Sequence, residues 1–137
     1  MIFKPIKSST DGGRIETTLL DPMAVCMLCY GRIDEEFAAL VAKDLSAVLT
    51  KHPEVRFYLV DTTETNHWTP NIRGQVVELL HLIKKHNIKE ILAVIPSSAL
   101  RMFAAAVTFA AGVPLKTFPT RDQAERHLRQ QIKTIKK

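Results

Sequence analysis

Apolar positions along this chain follow two different periods. From Arg14 to Leu20 and from Met23 to Ile33 they come at alternate or consecutive positions, as in extended strands. Both faces of the second stretch are apolar, with Ala24, Cys26, Leu28 and Tyr30 on one and Val25, Met27 and Cys29 on the other. That pattern predicts a central strand covered on both sides. From Asp34 the period changes to three and four residues: Phe37, Leu40, Val41, Leu45 and Val48 share a helical face. Asp34 is placed to cap that helix, Glu35 and Glu36 suit its first turn, and Lys51, His52 and Pro53 end it.

The same alternation continues to the end of the chain. Val55–Val60 reads as a strand, and a helix from Pro70 to about His86 carries Ile72, Val76, Leu79, Leu80 and Ile83 on one face. Ile91–Ile95 is a third buried strand, closed by Pro96. Ser97 caps a helix through Ala111, which Gly112 ends. Leu115–Phe118 is the last strand, and Thr120 with Gln123 forms a capping box for a final helix bearing Ala124, Leu128, Ile132 and Ile135. The order ββαβαβαβα predicts an α/β fold with a mixed, mostly parallel, five-stranded sheet and four helices. Residues 1–13, with the turn cluster Ser8–Gly13, form a lead or edge strand at Ile2–Ile6, and residues 14–137 form the domain proper.

Val55–Gly74 is the segment where function is expected. An apolar strand stops at Asp61, polar or turn-prone residues follow, and a helix begins at Thr69-Pro70. Open α/β sheets bind their ligands at such strand ends, beside the free N–H groups of a helix N-terminus. Read as a binding loop, Asp61, Thr63, Glu64, Asn66, His67, Trp68 and Thr69, with Arg73 one turn into the helix, offer stacking and hydrogen bonds to an anion or carbonyl. The alternative is that Trp68 lids the core and the polar residues are solvated. The helix after Ser97 is the other anomaly. Leu100, Phe103, Ala104 and Val107 make one apolar face, Met102, Ala106 and Phe109 a second, and Arg101 is its sole charge. Either neighbouring elements enclose the second stripe or a partner covers it, and a protein contact or homodimer is the more economical account.

Composition narrows the classes. With 137 residues, 46% hydrophobic and 24% charged, the chain reads as one globular domain. Nothing resembles a signal peptide, and the Met102–Val113 run is too short to span a bilayer, so a cytoplasmic location is expected. Residues 121–137 hold six Arg or Lys against two acids, so +4 of the net +5 lies in the last helix and tail. No nucleic-acid motif accompanies that charge, and nucleic acid is not expected as a partner. Cys26 and Cys29 form a CxxC spacing, but on a strand they point to opposite faces about 10 Å apart, too far for a disulfide. No second Cys or His pair completes a metal site, so no metal or other cofactor is expected. Glu78 and His81 have the Glu-x-x-His spacing of di-iron proteins, but in a single copy on a polar helix side. Asp61, His67 and Ser97 have the residue types of a hydrolase triad without a nucleophile elbow, and no catalytic residue is assigned.

The element order and several short motifs resemble the STAS domain, the sulfate transporter and anti-sigma-factor antagonist family, from about Arg14 to Leu128. Gly31-Arg32-Ile33-Asp34 resembles the family's Gly-x-Leu/Ile-Asp after its second strand, and Val60-Asp61 its Leu-Asp after the third. Gly74, Ile95-Pro96-Ser97 and Gly112 fall on comparable features. Phosphorylated members carry Asp-Ser-Ser-Gly before the second helix. Here those positions are Thr69, Pro70, Asn71 and Ile72, without a serine, and Thr69 suits an N-cap. The resemblance implies a non-enzymatic regulatory or protein-interaction module, with a small-ligand or lipid-binding version of the fold as the alternative and an enzyme third.

Overall fold

The computed structural model describes residues 6–68 and 72–136, with side chains at 6, 66–68 and 136 outside the description. It is an α/β fold with one six-stranded sheet, in the order β1 to β6 along the chain. The strands are β1 (Ile6–Ser9), β2 (Gly13–Asp21), β3 (Ala24–Ile33), β4 (Phe57–Trp68), β5 (Glu90–Val94) and β6 (Leu115–Phe118). The first two pairings are antiparallel and the other three parallel. The helices are α1 (Glu35–Lys51), α2 (Arg73–Lys85), α3 (Ser98–Ala111) and α4 (Arg121–Lys136).

There are six strands where the sequence pattern predicted five, because the edge strand at the N-terminus is a full member of the sheet. It is described at Ile6–Ser9, running past the expected end at Ile6, and residues 1–5 lie outside the described residues. Ser8 and Ser9, read as turn residues, pair with Ile15 and Arg14 instead. The turn itself is Thr10–Gly12, held where Thr10 Oγ1 accepts the Gly13 N–H at 3.1 Å. Gly31 takes φ +88°, which brings the Arg32 N–H to the Gly12 carbonyl at 2.8 Å and fixes the β2–β3 end.

Parallel connections are right-handed, so strands added always in one direction place their crossover helices on one face. Accordingly α1, α2 and α3 share a core of Ile15, Val25, Met27, Cys29, Phe37, Leu45, Tyr58, Leu80, Ile83 and Val107. The other face belongs to α4, which buries Ala124, Leu128 and Ile132 against Ala24, Cys26, Phe57, Leu59, Leu92 and Val94. Cys26 and Cys29 lie in these opposite layers, as the strand reading required, and both are free thiols.

The largest departure concerns β4. The pattern ends this strand at Val60 and predicts a loop from Asp61 to Thr69; instead the chain stays extended to Trp68. The cause is tertiary. β5 stops at Val94 opposite Asp61, but β3 runs on to Ile33, giving β4 a hydrogen-bonded partner along its whole length. Thr62, Thr63 and Thr65 are β-branched and fit a pleated surface. Polar composition here marks a strand that has outrun its second neighbour. Two register shifts, near Leu28 and Gly31 of β3, each place an extra residue on β4. The second helix is described from Arg73, after Ile72; the expected cap Thr69 and first-turn Pro70 lie outside the described residues.

Asp34 caps α1 as expected, its Oδ1 accepting the Phe37 N–H at 2.9 Å while Oδ2 takes the Arg32 guanidinium at 2.9 Å. The backbone donor first, and then Arg32, hold its carboxyl below the usual range. A carboxyl depressed in the folded state stabilises the fold above its unfolded pKa, near 4 in about every such peptide, and that contribution fades as pH falls through the folded value. Asp34→Ala should lower the unfolding free energy at neutral pH by about 1 kcal/mol, and Asp34→Asn by less. Urea melts at neutral and acid pH should show the difference between wild type and Asp34→Ala shrinking toward low pH.

Candidate functional site

The strand end that the sequence singled out is organised around Asp61, which is buried on the α4 face. Its Oδ1 accepts the backbone N–H and the hydroxyl of Thr63, at 2.9 and 2.6 Å, and so braces the first bulge of β4. Its Oδ2 faces Arg121 Nη1 at 3.7 Å, and Arg121 Nε donates to Glu125 at 2.7 Å. A buried carboxylate is tolerated where it is paired and hydrogen-bonded. Thr62 sends its hydroxyl to the Val94 carbonyl at 2.8 Å, and Thr65 sends its own to the Thr62 carbonyl at 2.6 Å. These bonds occupy the Asp61 carboxylate and the hydroxyls of Thr62, Thr63 and Thr65 within the chain.

The expected binding residues therefore divide. Asp61 is buried and bonded to Thr63 and Arg121, while Thr63 and Glu64 are exposed on the extended strand and Arg73 is exposed at the start of α2. The backbones of His67 and Trp68 pair with Arg32 and Ile33. The side chains of Asn66, His67 and Trp68, and Thr69 altogether, lie outside the described residues. Arg121 escaped the sequence reading, where it counted only as part of the basic tail. Its signal was the Glu125 placed four residues on, the spacing of a helical ion pair.

Ser97 accepts the Leu100 N–H at 3.3 Å as the α3 cap and Asp61 is engaged as above, while the side chain of His67 lies outside the described residues. Glu78 and His81 are exposed on α2. No group of three or more potential metal ligands converges among the described residues. No helix among the described residues is long and apolar enough to cross a membrane.

Two apolar features remain. Beneath α2 and α3, a cavity of about 170 Å³ opens between these helices and the sheet. Tyr58, Val60, Val76, Leu79, Phe103 and Ala104 are among its lining residues, and among the described side chains of the strand-end segment only Thr62 reaches it. Val76, Leu79 and Phe103 are only partly buried, so the helix pair does not close fully over the sheet. On the outer side of α3, Met102 is 75% and Phe109 77% exposed. Arg101 turns away from this stripe, donating to the carbonyls of Ile95 and Pro96. Phe109 also borders a shallow groove with Ala105, Val113 and Leu115, beside the outer strand β6.

No protein-family model matches the chain, and no curated protein is similar to it in sequence. Solved structures are similar in fold. The anti-sigma factor antagonist SpoIIAA in its unphosphorylated form is 13% identical, with a TM-score of 0.61 over 84% of this chain and 97% of that one. A protein of SpoIIAA-like fold from Shewanella loihica is 16% identical, with a TM-score of 0.56 over 93% of each chain. An anti-sigma factor antagonist from Mycobacterium paratuberculosis is 16% identical, with a TM-score of 0.54 over 94% of this chain and 95% of that one. The chain thus has a SpoIIAA-like fold, the STAS architecture that its strand-end motifs resemble.

The two thiols are unsuited to chemistry. Burial pushes Cys26 up to about 11, with Arg121 pulling in the other direction, and burial pushes Cys29 higher still. At neutral pH the thiolate fraction of Cys26 is then roughly one in ten thousand. Ellman titration should find two free thiols after unfolding, and a native reaction slower by about a hundredfold or more than that of the unfolded chain. An intramolecular disulfide recovered from native protein would contradict the opposed placement of the two side chains.

Proposed function

We propose that this protein is a non-enzymatic regulatory module that works by binding another protein, either a second copy or a different partner, through the outer face of α3. The observation that carries this reading is the exposure of Met102 and Phe109 on one helical stripe with Ala106. Two large apolar side chains held in water on a regular helix are costly unless something covers them, and covering each is worth roughly 1.5–3 kcal/mol. The similar folds of anti-sigma factor antagonists support a role in protein recognition. The reading assigns the protein to the cytoplasm, where two unpaired cysteines suit reducing conditions.

Phe109→Glu should weaken association by about ten- to a hundredfold while leaving a folded monomer, since its site is solvent-facing in the isolated chain. Sedimentation over a concentration series, with circular dichroism on the same samples, measures both. An unfolded variant would make the stripe part of the core and sink the interface. A second copy as the partner requires the wild type to self-associate; a monomeric wild type moves the search to other proteins.

The cavity beneath α2 and α3 favours a second reading, a small apolar ligand held there. Its size matches a dry pocket of about 150 Å³ that accepts benzene-sized molecules. It adjoins the third helix, one side of the crevice expected between that helix and Trp68, and the Trp68 side chain lies outside the described residues. Saturating benzene or indole should raise the melting temperature, and Ala104→Leu, which fills the pocket from α3, should remove that rise. A melting temperature indifferent to both probes would count against this ligand class.

A further inference from the structure

The cations of α4 are not equivalent. Arg121 is committed to Asp61 and Glu125, and Arg126 to Asp122. Arg129 and Lys133 are exposed, and neither enters an ion pair among the described residues. They are four residues apart on one helix face, where like charges repel each other. Both line an open groove of about 580 Å³ between the end of β2 and α4, whose apolar floor is Leu20, Leu128 and Ile132. Both also border a second, shallower groove of about 370 Å³ on the outer side, with Arg126 and Gln130. Two cations therefore stand on the ridge between an apolar trough and a cationic face.

The geometry points to this trough as a docking site for an acidic protein segment with apolar anchors, one that seats leucine-like side chains on Leu20, Leu128 and Ile132 and carboxylates against Arg129 and Lys133. Charge complementarity selects the sign of the partner, because the two unpaired cations lie beside the apolar floor. The form of the groove selects a chain over a surface. Asp21 at the end of β2 forms the wall opposite α4, and Glu125, one turn before Arg129 on α4 itself, is bonded to Arg121. A flat anionic bilayer would press its headgroups on Asp21 and Glu125 as well, whereas a peptide can place its acids against the two cations alone. A phosphate backbone would leave the apolar floor without a partner. This surface lies on the α4 side of the sheet, and α3 lies on the other, so the inference does not depend on the α3 interface.

The test is a fluorescence-anisotropy titration of the full chain with a labelled peptide of alternating Glu and Leu, at low salt. Binding is expected, with amide shifts in two-dimensional NMR centred on Leu20, Leu128 and Ile132. Arg129→Glu combined with Lys133→Glu should weaken it about tenfold or more, as should replacement of the peptide's Glu by Gln. The neutral pair Arg129→Gln and Lys133→Gln, checked by thermal melting, serves if the reversed charges disturb the fold. Equal binding of the Gln peptide, or affinity unchanged in both double variants, overturns the proposal. So does failure of the peptide to bind while phosphatidylglycerol vesicles or a DNA duplex bind through the same two residues.

Discussion

The handedness of parallel crossovers is the constraint on which this molecule depends. Each of the three parallel pairings adds a strand in the same direction, so each connecting helix falls on the same side of the sheet. Three helices then crowd one face, and the other is left to α4, which ends the chain and crosses nothing. The sheet is buried on both sides only where α4 lies, over β3 to β6. Toward β1 and β2 the α4 face is open, and there the strands carry Arg14, Glu16 and Thr18, with Arg14 stacked 3.9 Å over the Tyr30 ring. The groove beside α4 is the boundary between the covered and open halves.

A single helix covering a sheet face must be held in place. Its apolar stripe does most of this, with Ala124 and Leu128 fully or nearly fully buried. Polar bonds at two points fix its direction. Arg121 meets Asp61 at one strand end, and His127 meets Glu90 Oε1 at 2.8 Å at the other end of the neighbouring strand, with its ring against Phe118. Partly exposed polar contacts contribute little stability each, but these two lie at opposite ends of the strands that α4 covers. Asp61 couples this to β4, because the same carboxylate braces the bulge from which the strand leaves the helix layers.

On the three-helix face the packing is uneven. α1 buries six side chains, whereas α2 buries Leu80 and Ile83, and α3 Val107 and Thr108. The Thr108 hydroxyl satisfies itself on the Ala104 carbonyl at 2.8 Å, the local bond that lets a polar residue sit there. A shallowly seated pair of helices accounts for both apolar features of this face, the cavity beneath and the bare stripe above. Neither feature requires polar chemistry, in agreement with a strand end whose hydroxyls and carboxylate are already bonded within the chain.

Much of this was legible along the chain. Periodicity located all four helices and the inner strands, because each buries one face and the pattern of burial is written locally. Asp34, Ser97 and Gly112 marked helix ends for the same reason, since caps act within one turn. The opposed cysteines followed from strand pleating alone. The composition of α3 marked its second stripe as either enclosed by neighbours or left for a partner, and Met102 and Phe109 are exposed. What the chain could not determine was everything set by a neighbour distant in sequence. Thr62 to Trp68 look like a loop until β3 is laid beside them, and Ser8 and Ser9 look like a turn until β2 supplies their partners. Arg121 is one charge among many in a basic tail until the fold places it on Asp61, sixty residues upstream. Burial is a local average that sequence pattern records; a hydrogen-bonded strand edge or a carboxylate's partner is a single long-range coincidence, and only the tertiary structure decides it.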